Sequence, residues 1–331
     1  MRLLVLGGTQ FLGRHLVDAA LEAGDAVTLF NRGRTRPDLF AGRAERIEGD
    51  RDGGLGALVS GEWDAVVDTC GYVPRVVAAS ATALSGRCGH YTFVSSVSVY
   101  ADVSRPGIDE TAPVAQLRDP ATEVIDGETY GGLKALCEEA AEGAMPGRVL
   151  TVRPGLIVGP WDPTDRFTYW PRRIGAGGDV LVPGGPERPV QLVDGRDLAA
   201  WILAAVRRGL TGTFNACGPA ETTGMGELFD ACVAASGSDA RPCWTDERAL
   251  IDAGVEPWSE LPLWAGEGAD PADAGFMQIS SSRAIAEGLA FRPVGEIARD
   301  TLEWDREHPE FRSEAPLKPE REAELLARLG A

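Results

Sequence analysis

RLLVLGGTQFLG, at residues 2–13, is the segment that most narrows the choice of fold for this chain. An apolar run ends at Leu6 and passes directly into a glycine-rich turn, after which the amphipathic pattern of a helix begins near Phe11. Glycines at such a strand–turn–helix junction let the backbone approach a pyrophosphate, whose charge is favoured at the helix N-terminus. The pattern predicts a dinucleotide-binding turn. Its expected contacts are Gly7, Thr9, Gln10, Phe11, Leu12 and Gly13.

The same rhythm of short apolar strands and helical segments continues to about residue 155. Strands are expected at 26–30, 44–48, 64–68, 90–96 and 148–154, and helices at 74–85 and 130–142. Strands that alternate with helices favour a parallel sheet with right-handed crossovers. We therefore predict an α/β fold. A doubly wound Rossmann sheet occupies residues 1–155, with contributions from parts of 190–215, and a smaller mixed α/β substrate domain occupies 156–331.

Charge and composition exclude several classes of function. The 331 residues include 50 acidic and 32 basic side chains, so the formal net charge is −18. Because a like-charged surface repels a phosphate backbone, nucleic acid is not an expected partner. No apolar run approaches the roughly 20 residues that span a bilayer, and the N-terminal run is too short for a secretory signal, so we expect a cytoplasmic protein without a membrane partner. The three histidines lie far apart and no CxxC pair is present, so no metal site is expected.

The end of the second predicted strand bears on the choice of cofactor. NAD-binding folds usually place an acidic side chain here for the ribose 2′-hydroxyl, whereas this chain has Asn31 followed by Arg32. The fork of donors on an arginine can pair with a 2′-phosphate. Three arginines within residues 32–36 also form a basic group in an acidic chain. We therefore expect NADP(H) to be favoured over NAD(H), with Asn31 and Arg32 among the contacts.

The most specific functional pattern is YGGLK at residues 130–134. Its tyrosine and lysine are four residues apart and share one helix face, in a chain that has only two lysines. A nearby cation favours the phenolate and lowers the pKa of the tyrosine, which makes proton transfer practical near neutrality. Ser96, at the end of the 90–96 strand, would point into the crevice and hydrogen-bond a substrate oxygen. Ser96, Tyr130 and Lys134 are the predicted catalytic residues.

An irregular segment, PWDPTDRFTYWPRR at residues 160–173, is the main candidate for substrate recognition. Its aromatic rings and arginines suit a flat or sugar-like molecule with a negative group. The predicted substrate-binding residues are Ser98, Trp161, Arg166, Trp170, Arg188 and Gln191. The tryptophan-rich segment 241–276 is either a lid or a surface loop pinned by its rings.

The motifs, in their order along the chain, resemble those of the short-chain dehydrogenase/reductase superfamily, in its extended or atypical NAD-dependent epimerase/dehydratase-like branch. The matching motifs are GGTQFLG (7–13), GDRD (49–52), VSSVSVY (94–100), YGGLK (130–134), RPGLIVGP (153–160), RDLA (196–199) and FNACGP (214–219). The resemblance implies that Tyr130 is the catalytic acid/base, that Lys134 lowers its pKa and binds the nicotinamide ribose, and that Ser96 orients the substrate oxygen. The further cofactor contacts are Asp50 and the backbone of Arg51 at the adenine, Pro154, and Cys70, which either borders the nicotinamide or only packs.

Two departures from the family pattern limit what the resemblance implies. Gln10 replaces the usual middle glycine, as in an atypical subgroup that includes chloroplast stem-loop-binding proteins. Val97 and Ser98 stand where sugar-nucleotide 4,6-dehydratases have acidic residues, so an elimination that uses those acids is not expected.

The predicted function is an NADPH-dependent interconversion of a carbonyl and a secondary alcohol on a polar small molecule. One alternative is an epimerase that retains NAD and acts on a nucleotide sugar. A more distant alternative is a non-catalytic cofactor-sensing or RNA-binding protein. The resemblance is compatible with a homodimer.

Overall fold

The computed structural model describes residues 1–265 and 270–329 and confirms the α/β architecture. The strands are β1 (Arg2–Leu6), β2 (Ala26–Asn31), β3 (Glu45–Glu48), β4 (Trp63–Asp68), β5 (Cys88–Val94), β6 (Val149–Pro154), β7 (Leu156–Val158), β8 (Asp179–Pro183), β9 (Pro189–Val190), β10 (Leu192–Asp194), β11 (Gly212–Ala216), β12 (Thr223–Gly224) and β13 (Arg241–Thr245). The helices are α1 (Phe11–Glu22), α2 (Pro74–Leu84), α3 (Tyr130–Ala144), α4 (Tyr169–Gly175), α5 (Gly195–Arg207), α6 (Met225–Ser236), α7 (Glu247–Asp252), α8 (Ser282–Ala286), α9 (Val294–Glu307) and α10 (Pro319–Leu329). Within the described ranges, no helix is both long and apolar enough to cross a membrane.

Seven strands form one sheet in the order β11-β6-β5-β4-β1-β2-β3, and every neighbouring pair is parallel. From β1, the strands β2 and β3 follow in order towards one edge of the sheet. The later strands β4, β5, β6 and β11 follow in order towards the other edge, on the opposite side of β1. The strand order therefore reverses between β1 and β4, which is where open α/β sheets bind ligands at the carboxyl ends of their strands. The predicted strands of this sheet are confirmed to within two residues at either end.

Helices cover both faces of the sheet. On one face, α1 and α5 pack side chains such as Leu16, Val17 and Ile202 against the strands. On the other face, α2 and α3 contribute Val77 and Cys137. Strands that are buried on both sides read as continuous apolar runs rather than as alternating patterns. Full burial of one aliphatic side chain contributes about 1.5–3 kcal/mol to the stability of the folded state. Packing of helices on both faces therefore stabilises the central strands and positions their carboxyl ends.

The residues that follow β6 build a second apolar core around α4, α6, α9 and the parallel pair of β8 and β13. Trp170 lies inside this core, fully buried, and its indole Nε1 donates a hydrogen bond to the carbonyl of Pro262 at 2.9 Å. A side chain with no exposed surface has nothing to offer a substrate. The prediction that Trp170 binds substrate is therefore wrong, because the ring is a packing element of the second core.

Four residues of the predicted 241–276 segment, 266–269, lie outside the described residues, as do 330 and 331 at the end of the predicted substrate domain. The described part of that segment is held by its tryptophans. Trp264 is fully buried, and Trp258 packs edge-on against Phe276 with ring centroids 5.7 Å apart. These contacts favour the alternative of a loop pinned by its rings.

Candidate active site

The turn between β1 and α1 has a shape that only glycine permits. Gly7 and Gly8 have positive φ angles of 100° and 85°. A Cβ on Gly7 would lie 2.7 Å from the hydroxyl oxygen of Thr69, and one on Gly8 would lie 2.7 Å from a methyl carbon of Leu29. A Cβ on Gly13 would meet the Cα of Gly8 at 3.0 Å, so the first turn of α1 rests directly on the glycine turn. The three glycines leave a narrow cradle at the switch point of the sheet.

The first turn of α1 carries no acidic side chain, and its N-cap residue, Gln10, is exposed and makes no side-chain capping bond. Phe11 is half-buried, whereas Thr9 is buried beneath the turn. The side chain of Leu12 belongs to the core under α1, so only its backbone is left to face a ligand. The helix N-terminus is thus free to attract an anion.

Asn31 ties the end of β2 to the glycine turn. Its side-chain amide donates to the carbonyl of Gly7 at 3.0 Å, and its side-chain oxygen accepts the N–H of Gly33 at 3.0 Å. The neutral residue at this position therefore has a structural task. Arg32 and Arg34 follow it, are exposed, and form no ion pair with residues 1–265 or 270–329.

Trp161 lies between α1 and the C-terminal segment rather than open to a substrate. The guanidinium of Arg14 lies 3.4 Å from its ring centroid and that of Arg36 lies 4.7 Å away. The rings of Trp304, His308 and Phe311 pack against it edge-on. Groups of the protein itself thus occupy much of the ring's surroundings, and substrate stacking on Trp161 stays a prediction.

A buried ion pair joins the loop after β3 to the end of β4. Asp68 is fully buried and accepts two hydrogen bonds of 2.7 Å from the guanidinium of Arg51. It also accepts bonds from the hydroxyl of Tyr91 at 2.8 Å and from the N–H of Cys70 at 3.1 Å. Burial would raise the pKa of Asp68, but the charge and hydrogen bonds of Arg51 outweigh burial and hold that pKa below its ordinary value. The side chain of Arg51 thus points inward, which leaves its backbone and the exposed Asp50 for the predicted adenine contact.

Two other predicted cofactor contacts lie at the same edge of the sheet. Cys70 is half-buried two residues after β4, with its sulfur 3.5 Å from a nitrogen of Arg51. Pro154 is buried at the end of β6, where it pairs in register with Ala216 of β11.

Tyr130 begins α3 and lies close to Ser96. A Cβ on Gly131 would lie 2.0 Å from the carbonyl oxygen of Ser98, so glycine lets the first turn of α3 press against the short 3-10 turn that follows Ser96. Burial raises the pKa of Tyr130, and a hydrogen bond with Ser96 and the positive charge of Arg166 oppose that rise. The Ser96 hydroxyl also bonds with Ser98, accepting from its N–H and donating to its hydroxyl, both at 3.1 Å.

Lys134 lies one turn further along α3 and is almost completely buried. Its ammonium donates to the carbonyls of Gly71 and Val94, both at 2.7 Å, and so joins the carboxyl ends of β4 and β5. Burial lowers the pKa of Lys134 to about 8. The expected lowering of the pKa of Tyr130 by this lysine is not what the structure has, since that pKa lies above its ordinary value. An ammonium has three N–H donors, and the third is left for a ligand.

Of the predicted substrate residues, Ser98 and Arg166 lie near Tyr130. Arg166 is half-buried, and its guanidinium lies 5.1 Å from the ring centroid of Trp258. It forms no ion pair within the described parts of the chain, yet its charge acts on the phenol of Tyr130.

Arg188 and Gln191 instead pin loops of the second core. The Arg188 guanidinium donates to the carbonyls of Leu263 and Ala265 at 3.0 and 3.1 Å. The Gln191 amide exchanges two hydrogen bonds with the backbone of Ile279, at 2.8 and 3.1 Å. Internal backbone groups thus take up most of their hydrogen bonds, although the Nε of Arg188 has no hydrogen-bond partner among the described residues. Their substrate contacts stay predictions.

Sequence reasoning missed Tyr72, which lies beside Lys134. Its ring centroid is 5.3 Å from the lysine ammonium, and 44% of the residue remains exposed. The available signal was its position just past the carboxyl end of β4, a strand that borders the switch point.

Comparisons with known proteins agree with this architecture. The model of the NAD dependent epimerase/dehydratase family matches residues 52–217. The enzyme WbmH of Bordetella bronchiseptica, solved with NAD+, shares 19% identity at a TM-score of 0.67, over 93% of this chain and 99% of that one. UDP-glucose 4-epimerase of Thermotoga maritima, solved with UDP-glucose, shares 17% sequence identity at a TM-score of 0.66, over 93% of this chain and 100% of that one. The UDP-glucose 4-epimerase of Bifidobacterium longum, solved with NAD+ and UDP, shares 18% sequence identity at a TM-score of 0.64, over 94% of this chain and 100% of that one. No curated protein sequence matches significantly.

Replacing the buried carboxylate by an amide tests the role of the Arg51–Asp68 pair. Asp68→Asn leaves the Arg51 charge buried without its counter-ion, and we expect the free energy of unfolding in urea to fall by about 3–5 kcal/mol. Because the pKa of Asp68 is lower in the folded protein, its contribution is fully present above about pH 4, the unfolded value, and is lost as pH falls through the folded pKa. The difference between wild type and variant should therefore narrow in acid.

Asp52→Asn is the matched control, since Asp52 pairs with Arg75 at the surface, where both side chains are more than half exposed. We expect this variant to unfold almost as wild type does. Equal stability of the Asp68→Asn variant and wild type at neutral pH would contradict the assignment.

Proposed function

The chain belongs to the NAD-dependent epimerase/dehydratase family, and we propose that within this family it interconverts a carbonyl and a secondary alcohol on a polar small molecule. The observation that carries the proposal is the close packing of the first turn of α3, at Gly131, on the carbonyl of Ser98. This packing places Tyr130 beside the turn that follows Ser96 at the carboxyl edge of the parallel sheet, with Lys134 one helical turn away. A phenol, a hydroxyl and an ammonium held at the switch point suit proton transfer to or from a substrate oxygen.

The residues present fit a nicotinamide dinucleotide. The glycine cradle of Gly7, Gly8 and Gly13 has no room for side chains and adjoins a helix N-terminus without acidic groups, which suits a pyrophosphate. Asp50 and the backbone of Arg51 would hold the adenine side, and the third N–H of Lys134 would hold a ribose hydroxyl. When bound, the nicotinamide supplies or accepts the hydride.

In this proposal Tyr130 donates the proton when a carbonyl is reduced. Burial keeps its phenol neutral in the free protein, so the proton is available at physiological pH. Ser96 holds the same substrate oxygen through its hydroxyl, exchanging its bond to Ser98 for one to the substrate. In the opposite direction Tyr130 takes the proton from the alcohol, which requires loss of its own proton first.

Arg166 supports a substrate that carries a negative group. Its guanidinium is half-buried near Tyr130, rests over the ring of Trp258, and has no carboxylate partner among the described residues. A half-buried guanidinium that forms no ion pair within the described residues can pair with a carboxylate or phosphate.

Nucleotide-sugar epimerisation with a retained NAD is the second candidate, and the UDP-glucose 4-epimerases that share the fold favour it. The use of cofactor separates the two. A reductase consumes one NADPH for each carbonyl reduced, as measured by NADPH absorbance together with product analysis. Turnover of UDP-sugars without added cofactor, by protein that co-purifies with NAD, would establish the epimerase instead.

The variant Tyr130→Phe tests the proton donor. We expect carbonyl reduction to fall by about 10²–10⁴-fold, since the phenol supplies general acid catalysis, while NADPH binding measured by fluorescence stays unchanged. Lys134→Met should in contrast weaken NADPH binding as well, because it removes the donor assigned to the ribose. Turnover close to wild type in Tyr130→Phe, measured on the carbonyl compounds that wild type reduces, would contradict the site.

We further propose a preference for NADP(H) over NAD(H), supported by Arg32 and Arg34 beside Asn31, which are exposed and form no ion pair with any residue that the structure describes. A charge-assisted hydrogen bond contributes about 1.5–3 kcal/mol, so Arg32→Ala should weaken NADPH binding by roughly tenfold or more and leave NADH binding nearly unchanged. Arg43→Ala is the control, because Arg43 is exposed and already faces Asp18 at 3.4 Å. Tighter binding of NADH than of NADPH by wild type would contradict the preference.

A further inference from the structure

Four large apolar side chains stand out by their exposure among the described residues. They are Val59, Tyr72, Val124 and Ile125, exposed by 51%, 44%, 63% and 50%. Val59 precedes the amino end of β4 and is remote from the proposed site. The other three lie at the opposite, carboxyl edge, next to the proposed catalytic residues in space or in sequence.

Tyr72 borders the proposed catalytic pair directly. The carbonyl of the preceding residue, Gly71, accepts the hydrogen bond of Lys134, and the Tyr72 ring centroid lies 5.3 Å from that ammonium. Partial burial of the phenol and the neighbouring Tyr130 both raise the pKa of Tyr72, although 44% of the whole residue is exposed. Both agree with a position at the rim of the proposed site.

Val124 and Ile125 are held in place ahead of Tyr130. The hydroxyl of Thr129 donates to the carbonyl of Val124 at 2.6 Å, and the carboxylate of Asp126 accepts the N–H of Thr129 at 2.9 Å. The carbonyl of Asp126 in turn accepts the N–H of Tyr130 at 3.0 Å. The exposed pair is therefore part of an ordered turn that leads into α3.

A surface ion pair joins this turn to the start of α2. Arg75 donates two hydrogen bonds to Glu123, at 2.8 and 3.1 Å. Glu123 precedes Val124 in the chain, and Arg75 lies three residues after Tyr72. Residues close in sequence to the exposed aliphatic pair and to the exposed ring thus meet at the surface, where both partners of the ion pair are about half exposed.

We propose that Tyr72, Val124 and Ile125 form an apolar shelf that binds an aliphatic or aromatic part of the substrate next to the reacting oxygen. This inference rests on the proposed function and narrows its substrate class. The substrate would be amphiphilic, with its apolar part on the shelf and its negative group at Arg166.

Two considerations favour a substrate over a protein partner as the occupant. Apolar surface left in water costs about 25 cal/mol for each Å², so ordered aliphatic side chains at a reaction site are typical of ligand recognition. Three side chains also fall well short of the roughly 800 Å² that a stable protein interface buries on each partner. The shelf adjoins Tyr130, so its contents would lie where the proposed proton transfer takes place.

The dye 8-anilinonaphthalene-1-sulfonate is a suitable probe, because it combines aromatic rings with one sulfonate. Fluorescence titrations with saturating NADP+ keep the dye out of the cofactor site. We expect one bound dye per chain, with its Kd raised at least fivefold by Tyr72→Ala and by the double substitution Val124→Ser with Ile125→Ser. Val59→Ser is the matched control and should bind the dye as wild type does. Thermal unfolding of each variant checks that it is folded.

Several outcomes would overturn the shelf. The first is an unchanged dye Kd in the folded shelf variants, and the second is an equal loss of dye affinity in Val59→Ser. The third is the absence of dye binding once NADP+ is bound, which would assign the surface to the cofactor. Self-association that the double variant abolishes would assign it to a second copy of the chain. Because dye binding needs no turnover, Tyr130→Phe should bind the dye normally. An inactive Tyr130→Phe that still binds supports both proposals, whereas full activity with intact dye binding removes only the catalytic assignment.

Discussion

The ammonium of Lys134 holds together the part of the sheet from which the candidate site is built. It bonds to carbonyls just after β4 and at the end of β5, and its own helix is thereby docked on those two strands. Tyr130, on the same helix, therefore lies near Ser96, which follows β5 by two residues. Removing one charged group from water is expensive unless hydrogen bonds replace the lost hydration, and two carbonyls supply that replacement here. The position of the helix that carries the phenol is thus tied to backbone carbonyls of two strands.

Close approach is the second constraint, and glycines satisfy it twice. At the first of these contacts, Gly13 lets α1 pack directly on Gly8. At the second, Gly131 lets α3 rest on the carbonyl of Ser98. Each contact brings a helix N-terminus to the same edge of the sheet. The first is that of α1 at the glycine turn, and the second is that of α3, which begins with Tyr130. The pattern YGGLK therefore also specifies packing, because Gly131 lets the first turn of α3 approach the carbonyl of Ser98.

Much of the fold was predictable from the sequence, because doubly covered strands give continuous apolar runs and the glycine turn has few alternatives. The placement of Tyr130 and Lys134 on one face of α3 was predictable as well, since residues four apart share a helix face. Their catalytic role is a proposal. The contacts of the expected substrate residues were not predictable. Trp161, Trp170, Arg188 and Gln191 belong to residue types that suit ligands and cores equally well, and only tertiary contacts reveal which role they have. The local sequence pattern also did not predict that the ammonium of Lys134 would donate hydrogen bonds to the carbonyls of Gly71 and Val94.

The buried ammonium has a consequence for proton linkage. Burial places the pKa of Lys134 at about 8, well below the ordinary value near 10.4, so a fraction of the molecules lacks this proton on the alkaline side of neutrality. A ligand that accepts the third N–H favours the protonated form and raises that pKa again. Binding at pH values near and above 8 is then accompanied by proton uptake, and affinity decreases as the pH rises. One lysine thus makes occupancy of the site a function of proton concentration, independently of the chemistry that follows.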